Sequence, residues 1–490
     1  MKSIFKILLI TAVALIIIML AKTFMLTTEP VNRPDPIDIN INTDLVKNRL
    51  SKMVQFVTVS NQDPSKFDAK AFDEMHAYLE QTFPLVYEKL QHEVVNGHSL
   101  LFKWQGKNAE LKPILLLAHQ DVVPIPPEAL SDWTHPPFSG LIDETFIWGR
   151  GTLDDKASLT GILEATTFLL KENFEPERTI YLAFGHDEEV GGVEGAAKIA
   201  ALLKSRNIQL EYVLDEGGVI SDGLIPGVDR RVAMIGIAEK GFTSLQLKVN
   251  AAGGHSSIPP KHTAIGTLSQ AIVDLEANPF PANVKYSLKF FKTLAPYMSF
   301  STKMVLANTW ISKSLLESQL SKSATTSAMI RTTTAATMIK GGVKDNVLPP
   351  EADAIVNFRI LPGDTADYVL AHVKKIINNP KIKVTPTRVG RNPSKVSPTD
   401  SDSFRQIATT IHQANGEGKD LIVAPYLVMG GTDARNFEDL TPNIYRFLFN
   451  ETTPDDIKRY HNTNERISIE NYVKVIRFYY QLMKNSNTLG

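Results

Sequence analysis

Apolar residues recur along this chain with two different periods, and the exchange between them predicts an α/β fold. Unbroken runs such as Ile114-Leu115-Leu116-Leu117-Ala118, Ile180-Tyr181-Leu182-Ala183-Phe184 and Tyr212-Val213-Leu214 are short for helices and read as buried strands. Residues 157–170, 195–205, 402–415 and 469–482 instead space their apolar positions as helices do, as does much of 44–90. A further strand is expected at 420–425.

From about Lys240 the pattern changes. Residues 241–251 alternate, with Phe242, Leu245, Leu247 and Val249 on one side, as in a half-exposed antiparallel strand. Helix 264–276, strands 329–333 and 352–360, helix 366–377 and a polar stretch with strand tendency at 385–398 follow. The order β-α-β-β-α-β predicts a two-layer α+β insert. Residues 280–323 read as an amphipathic lid. The expected organisation is one domain of 45–240 and 365–490, with a mixed central sheet flanked by helices, interrupted by an inserted domain of 241–364.

The N-terminus is different in kind. Lys2 and Lys6 precede an uncharged apolar run, 7–21, which Lys22 closes. Counted as 4–26 with lysines snorkelling, it is long enough to cross a bilayer. A cleaved signal peptide is the rival reading, and no small-x-small cleavage site supports it. Residues 1–26 are therefore expected to be an uncleaved signal anchor, with the body outside the cytoplasm by the positive-inside rule. Residues 27–44, with Pro30, Pro34 and Pro36, read as an extended linker.

At 490 residues the chain exceeds what one core organises. Its 52 basic and 53 acidic side chains leave a formal charge of −1, without the basic footprint of a nucleic-acid binder. It has no cysteine, so a metal would be held by His, Asp and Glu alone.

The candidate chemistry lies at strand ends, where open α/β sheets place their sites. The 180–184 run stops at His186-Asp187-Glu188-Glu189, then Gly191-Gly192. An exposed acidic loop explains a lone Glu-Glu pair, but two further strands also end in metal-type ligands. The 114–118 run delivers His119 and, two residues on, Asp121, suited to fixing the imidazole tautomer from behind. The 212–214 run ends in Asp215-Glu216-Gly217-Gly218. Asp154 and Asp155 stand between a glycine-rich turn and a helix; N-capping explains one of them, and a carboxylate bridging two cations explains the pair. A later group comprises Gly253-Gly254-His255, Asn346, Arg359, Gly430-Gly431-Thr432 and His461.

In this order, the motifs HQD, GTLDDK, GHDEEVGG, LDEGG, GGHSS, NFRILPG and GGTDAR, with the late His461, resemble the dizinc amidohydrolases of the aminoacylase, carboxypeptidase G and carboxypeptidase S family. The resemblance covers nearly everything after residue 45 and is strongest to the carboxypeptidase S branch, which includes N-fatty-acyl-amino-acid synthase/hydrolases. It implies two zinc ions per chain, with manganese or cobalt as substitutes. Asp154 would bridge them, His119 and Asp215 would complete one site, and Glu189 and His461 the other. Glu216 is the alternative to Asp215. Glu188 would be the general base, Asp121 the orienting carboxylate and His255 the polariser of the scissile carbonyl. Asn346, Arg359, Gly430, Gly431 and Thr432 would contact a small substrate carrying a free carboxylate. The implied reaction is hydrolysis, or formation, of the amide of an N-acyl or N-fatty-acyl amino acid. A carboxypeptidase or dipeptidase is the runner-up, and an inactive peptide-binding ectodomain follows it. The resemblance also raises a homodimer through the insert.

Overall fold

The computed structural model describes residues 2–28, 37, 39–416 and 420–488. Most of the expected linker, residues 29–36 and 38, lies outside them. The chain divides into two compact units: 28–237, 397–426 and 432–490 form one, and 1–27, 238–396 and 427–431 the other.

The first unit is built on a ten-stranded mixed sheet. Four strands at its middle, Ile180–Gly185, Ile114–His119, Tyr212–Asp215 and Ile444–Arg446, run parallel. The hairpin of Gln91–Val95 and Ser99–Trp104 closes one edge antiparallel. The central runs are apolar throughout because both faces are covered. Ile114, Leu116, Ile180, Leu182 and Leu214 pack with helices Lys156–Lys171 and Ile469–Asn485, joined by Asp402–Asn415. Leu115, Leu117, Tyr181, Ala183 and Val213 face helix Ala196–Ser205 and the turn Asp433–Phe437. Burying about 25 cal/mol per Å² on both faces fixes the strand register. That register delivers three parallel strands to one carboxyl edge.

The second unit carries an antiparallel four-stranded sheet in the order Thr333–Lys340, Glu351–Ile360, Gly241–Asn250, Ile382–Pro386. Leu245, Leu247, Val249, Ala354, Val356 and Phe358 face helices Ala264–Ala277 and Ala366–Ile377 across one core. This is the β-α-β-β-α-β order read from the sequence, with its last helix and strand running to residue 386. Two strands fall elsewhere: the stretch expected at 385–398 is extended at Ile382–Pro386, and residues 329–332 are not extended, the strand beginning at Thr333. Ile330 is buried in the turn before it, where its carbonyl accepts Asn283 N–H at 2.6 Å. The true strand is an exposed edge, so burial imposes no alternation for a pattern to reveal.

The lid stretch is helical over Leu288–Leu294, Phe300–Ala307 and Thr309–Leu320. The N-terminal helix Lys2–Met25, whose most apolar 18-residue stretch has a mean hydropathy of 2.9, packs its C-terminal half against the second of these.

Candidate metal centre

Asp154 turns its two carboxylate oxygens to two different histidines. Oδ1 lies 2.9 Å from His119 Nε2, and Oδ2 lies 3.0 Å from His461 Nε2. Glu189 Oε2 is 3.3 Å from His461 Nε2, and Glu216 Oε1 is 3.7 Å from His119 Nε2. The side chains thus form two groups sharing Asp154: His119, Asp154 and Glu216, and Asp154, Glu189 and His461. Within each, the donor atoms lie within 4.8 Å of one another.

Each member is placed by its strand or turn. His119 ends the Ile114–His119 strand on the same parity as Leu115 and Leu117. Its Nδ1 lies 2.9 Å from the Asp121 carbonyl oxygen and 3.4 Å from the Asp121 carboxylate, which leaves Nε2 for the site. Asp121 also takes the backbone N–H of Glu188 on Oδ1 and that of Glu189 on Oδ2, each at 3.1 Å, and the Ser60 hydroxyl. Asp121 therefore does more than orient His119, because it also holds the turn carrying both glutamates.

The structure groups Glu216, the alternative to Asp215, with His119 and Asp154. Asp215 Oδ2 accepts the backbone N–H of Ala434 at 2.7 Å, so this carboxylate anchors the start of the Asp433–Phe437 turn. Asp215 closes its strand, and the next residue in the chain, Glu216, reaches His119.

Two further buried acids were given no role by the sequence reading. Glu465 Oε1 accepts the N–H groups of Gly151 (2.9 Å), Leu153 (2.8 Å) and Asp154 (3.3 Å), while Oε2 takes Arg150 Nη1 at 2.6 Å. Glu465 thereby shapes the turn that presents Asp154. Asp433 packs against Gly192, whose φ of +66° and lack of a Cβ admit that carboxylate. Asp433 lies within the GGTDAR motif, whereas Glu465 lies in no recognisable spacing.

The electrostatics are those of a cation site. Burial, reinforced by the Asp154 charge, raises the Glu189 and Glu216 carboxyls. Glu188, also raised well above the usual range by burial, is further raised by Asp433 and Glu189. Burial acts on Asp154 in the same direction, but hydrogen bonds from His119 and His461 outweigh it and hold this carboxyl below its ordinary range. Hydrogen bonds to Asp154 and then to Glu189 push His461 up to about 10. His461 sits at φ +56°, a left-handed conformation costing a non-glycine residue roughly 1–3 kcal/mol. Glu189 Oε1 is buried with no hydrogen-bond partner among the described residues. An orphaned carboxylate oxygen among imidazoles and acids, without a thiolate, fits a divalent cation with nitrogen and oxygen ligands.

The other predicted residues sit as follows. His255 and Asn346 lie at a short antiparallel pair, in which His255 stands opposite Val347 and Ser256 N–H donates to the Asn346 carbonyl at 3.2 Å. Both are exposed, and His255 Nδ1 lies 2.8 Å from the Ser257 hydroxyl. Arg359 on Glu351–Ile360 stacks on Phe242 at 5.1 Å, and Arg388 takes the same ring at 4.6 Å. Gly430 and Gly431 are exposed, and Thr432 is buried as the cap of Asp433–Phe437. His255, Asn346, Arg359, Gly430 and Gly431 belong to the unit with the four-stranded sheet, whereas Thr432 belongs to the metal-ligand unit.

Fold and site together define a metallohydrolase with carboxylate and histidine ligands on an α/β sheet edge. The match to peptidase family M20/M25/M40 spans residues 115–485, and the chain belongs to that family. It is accordingly an enzyme acting on amide or peptide bonds. It is 38% identical to the probable carboxypeptidase S-like 2 of Dictyostelium discoideum, covering 92% of this chain and 88% of that one. It is 40% identical to the human N-fatty-acyl-amino acid synthase/hydrolase PM20D1, covering 90% and 88%. Human carnosine dipeptidase 1 superposes with a TM-score of 0.64 at 16% identity, over 91% of this chain and 97% of that one, a likeness of fold.

Proposed function

We propose that this chain is a two-zinc amidohydrolase that splits, and in reverse forms, the amide of N-acyl amino acids, long acyl groups included. The observation that carries the reading is the Asp154 carboxylate divided between His119 and His461. His119, Asp154 and Glu216 would hold one metal, and Asp154, Glu189 and His461 the other. Bound there, the metals supply Lewis acidity to the amide carbonyl and acidify water.

The chain's own residues do the rest. Glu188, next to a ligand but outside both ligand groups, takes the proton of the attacking water and hands it to the departing nitrogen. Burial raises its pKa, the direction that favours taking up a proton. His255 donates to the carbonyl oxygen as charge develops there. Arg359, with no ion-pair partner among the described residues, binds the free carboxylate, assisted by Asn346 and by Thr432 and the small residues Gly430 and Gly431.

The acyl-amino-acid substrate rests on the 40% identity to the human synthase/hydrolase. The 38% identity to a probable carboxypeptidase S-like protein supports a second reading, release of a C-terminal residue from short peptides. Turnover of N-acyl amino acids and dipeptides measured in parallel on zinc-loaded protein separates the two, with acyl amino acids expected to be preferred. The helix Lys2–Met25 is long and apolar enough to anchor the enzyme in a membrane with its body outside the cytoplasm. The exposed edge Thr333–Lys340, with Met338 and Ile339 outward, supports pairing of two copies through this unit.

A further inference from the structure

The N-terminal helix does not stand apart from the unit it belongs to. Thr23, fully buried, closes onto the Met19 carbonyl at 2.7 Å. Asn308, fully buried at the junction of Phe300–Ala307 and Thr309–Leu320, donates its amide to the Met19 carbonyl at 3.1 Å and to the Thr23 hydroxyl at 3.3 Å. Its carbonyl oxygen accepts Trp310 Nε1–H at 3.3 Å. Phe24 meets Phe300 with ring centroids 5.9 Å apart, and Lys22 lies 5.3 Å over Trp310. The polar groups at this contact satisfy one another, as they must where no water reaches.

Around this junction the lid helices turn apolar side chains outward. Phe300, Trp310, Ile311 and Leu315 are each about half exposed, continuous with Phe24 and Met25 at the end of the helix. Over 288–328 the basic residues are Lys289, Lys292, Lys303, Lys313 and Lys322, and the only acid is Glu317. An aromatic-rich apolar face flanked by lysines is the composition of a helix lying in a lipid headgroup region.

We propose that helices Phe300–Ala307 and Thr309–Leu320 form a bilayer-docking surface, seated in the outer headgroup layer beside the N-terminal span. The inference rests on the anchor reading. If Lys2–Met25 crosses the membrane, its last two turns lie at the outer boundary, and the groups packed on Met19, Thr23 and Phe24 lie at the same depth. Trp310 and Phe300 then occupy the level that aromatic belts favour, and the lysines reach the lipid phosphates. The bilayer thereby orients the unit, where a flexible tether would leave it free to tumble.

The absence of native cysteine makes the test direct. Full-length Ala14→Cys, Leu315→Cys and Val343→Cys variants are each labelled with an environment-sensitive fluorophore in phosphatidylcholine–phosphatidylserine vesicles with brominated acyl chains. Ala14 reports the span, Leu315 the docking face, and Val343, 98% exposed in the same unit, the aqueous control. With the docking face about 5–10 Å into the boundary, the label at 315 should lose roughly half its emission, as should the label at 14, and that at 343 almost none. Quenching at 14 without quenching at 315 overturns the docking surface and leaves the anchor standing. No quenching at 14 removes the anchor and the proposal with it. A label at 315 shielded from aqueous iodide yet untouched by bromolipid means a protein, such as a second copy, covers the face, and quenching at 343 means indiscriminate adsorption; either overturns the proposal.

Discussion

The Asp121 carboxylate accepts the backbone N–H of Glu188 at 3.1 Å. One buried acid thus ties the His119 strand to the turn carrying the proposed base, and its second oxygen does the same for Glu189. Asp121→Ala should therefore impair two functions together. Metal affinity is expected to fall about 10–100-fold as His119 loses its orientation, and turnover at saturating metal should fall as well. Full turnover restored by excess zinc would show that the Glu188 tie is dispensable.

Glu465→Ala should damage the fold more than any ligand substitution. It removes an acceptor of three backbone N–H groups and leaves Arg150, 3% exposed, without its partner. Breaking a buried pair by deleting one member costs about 3–5 kcal/mol, readable in denaturant unfolding of the metal-free protein. A loss below about 1 kcal/mol, the level of a surface ion pair, would contradict the role given to Glu465.

Metal uptake should release protons. Hydrogen bonds to Asp154 and Glu189 push His461 up to about 10 from an ordinary value of 6.5. The folded pKa is the higher one, so the metal-free protein gains stability from this proton fully below about 6.5 and loses it as pH rises through about 10. A metal must displace that proton, and its apparent affinity should rise with pH across this window. Calorimetric titration with zinc near pH 8, in buffers of different ionisation enthalpy, should show proton release that His461→Ala reduces.

The ligand assignment predicts stoichiometry. Wild-type protein supplemented with zinc should carry about two equivalents, and Asp154→Ala well under one, because both groups share that carboxylate. Asp215→Asn should retain both metals, since Asp215 holds Ala434 N–H instead. Loss of one equivalent in Asp215→Asn with none lost in Glu216→Gln would restore the original preference.

Those last residues show how far the sequence carries. His119 closes a strand and Asp154 and Glu189 stand at glycine turns, whereas His461 was marked only by its place after the ordered series of motifs. Asp215 and Glu216 were not separable, since adjacent residues at a strand end differ only in where the chain turns. Glu465 was invisible for another reason: its partners, Arg150 to Asp154, lie more than 300 positions away, and nothing local in Asn464-Glu465-Arg466 marks it. The central strands were readable because burial of both faces leaves an unbroken apolar run. The edge strand Thr333–Lys340 was misplaced because exposure leaves no pattern.

Turnover and metal content of Glu188→Gln, measured on the same zinc-loaded sample with an N-acyl amino acid, test the central claim most directly. The substitution keeps shape and burial and removes only the carboxylate's ability to accept a proton. The account predicts unchanged metal content and substrate affinity, with turnover lower by roughly two to four orders of magnitude. Near-wild-type turnover with the metals still bound would show that Glu188 is not the base.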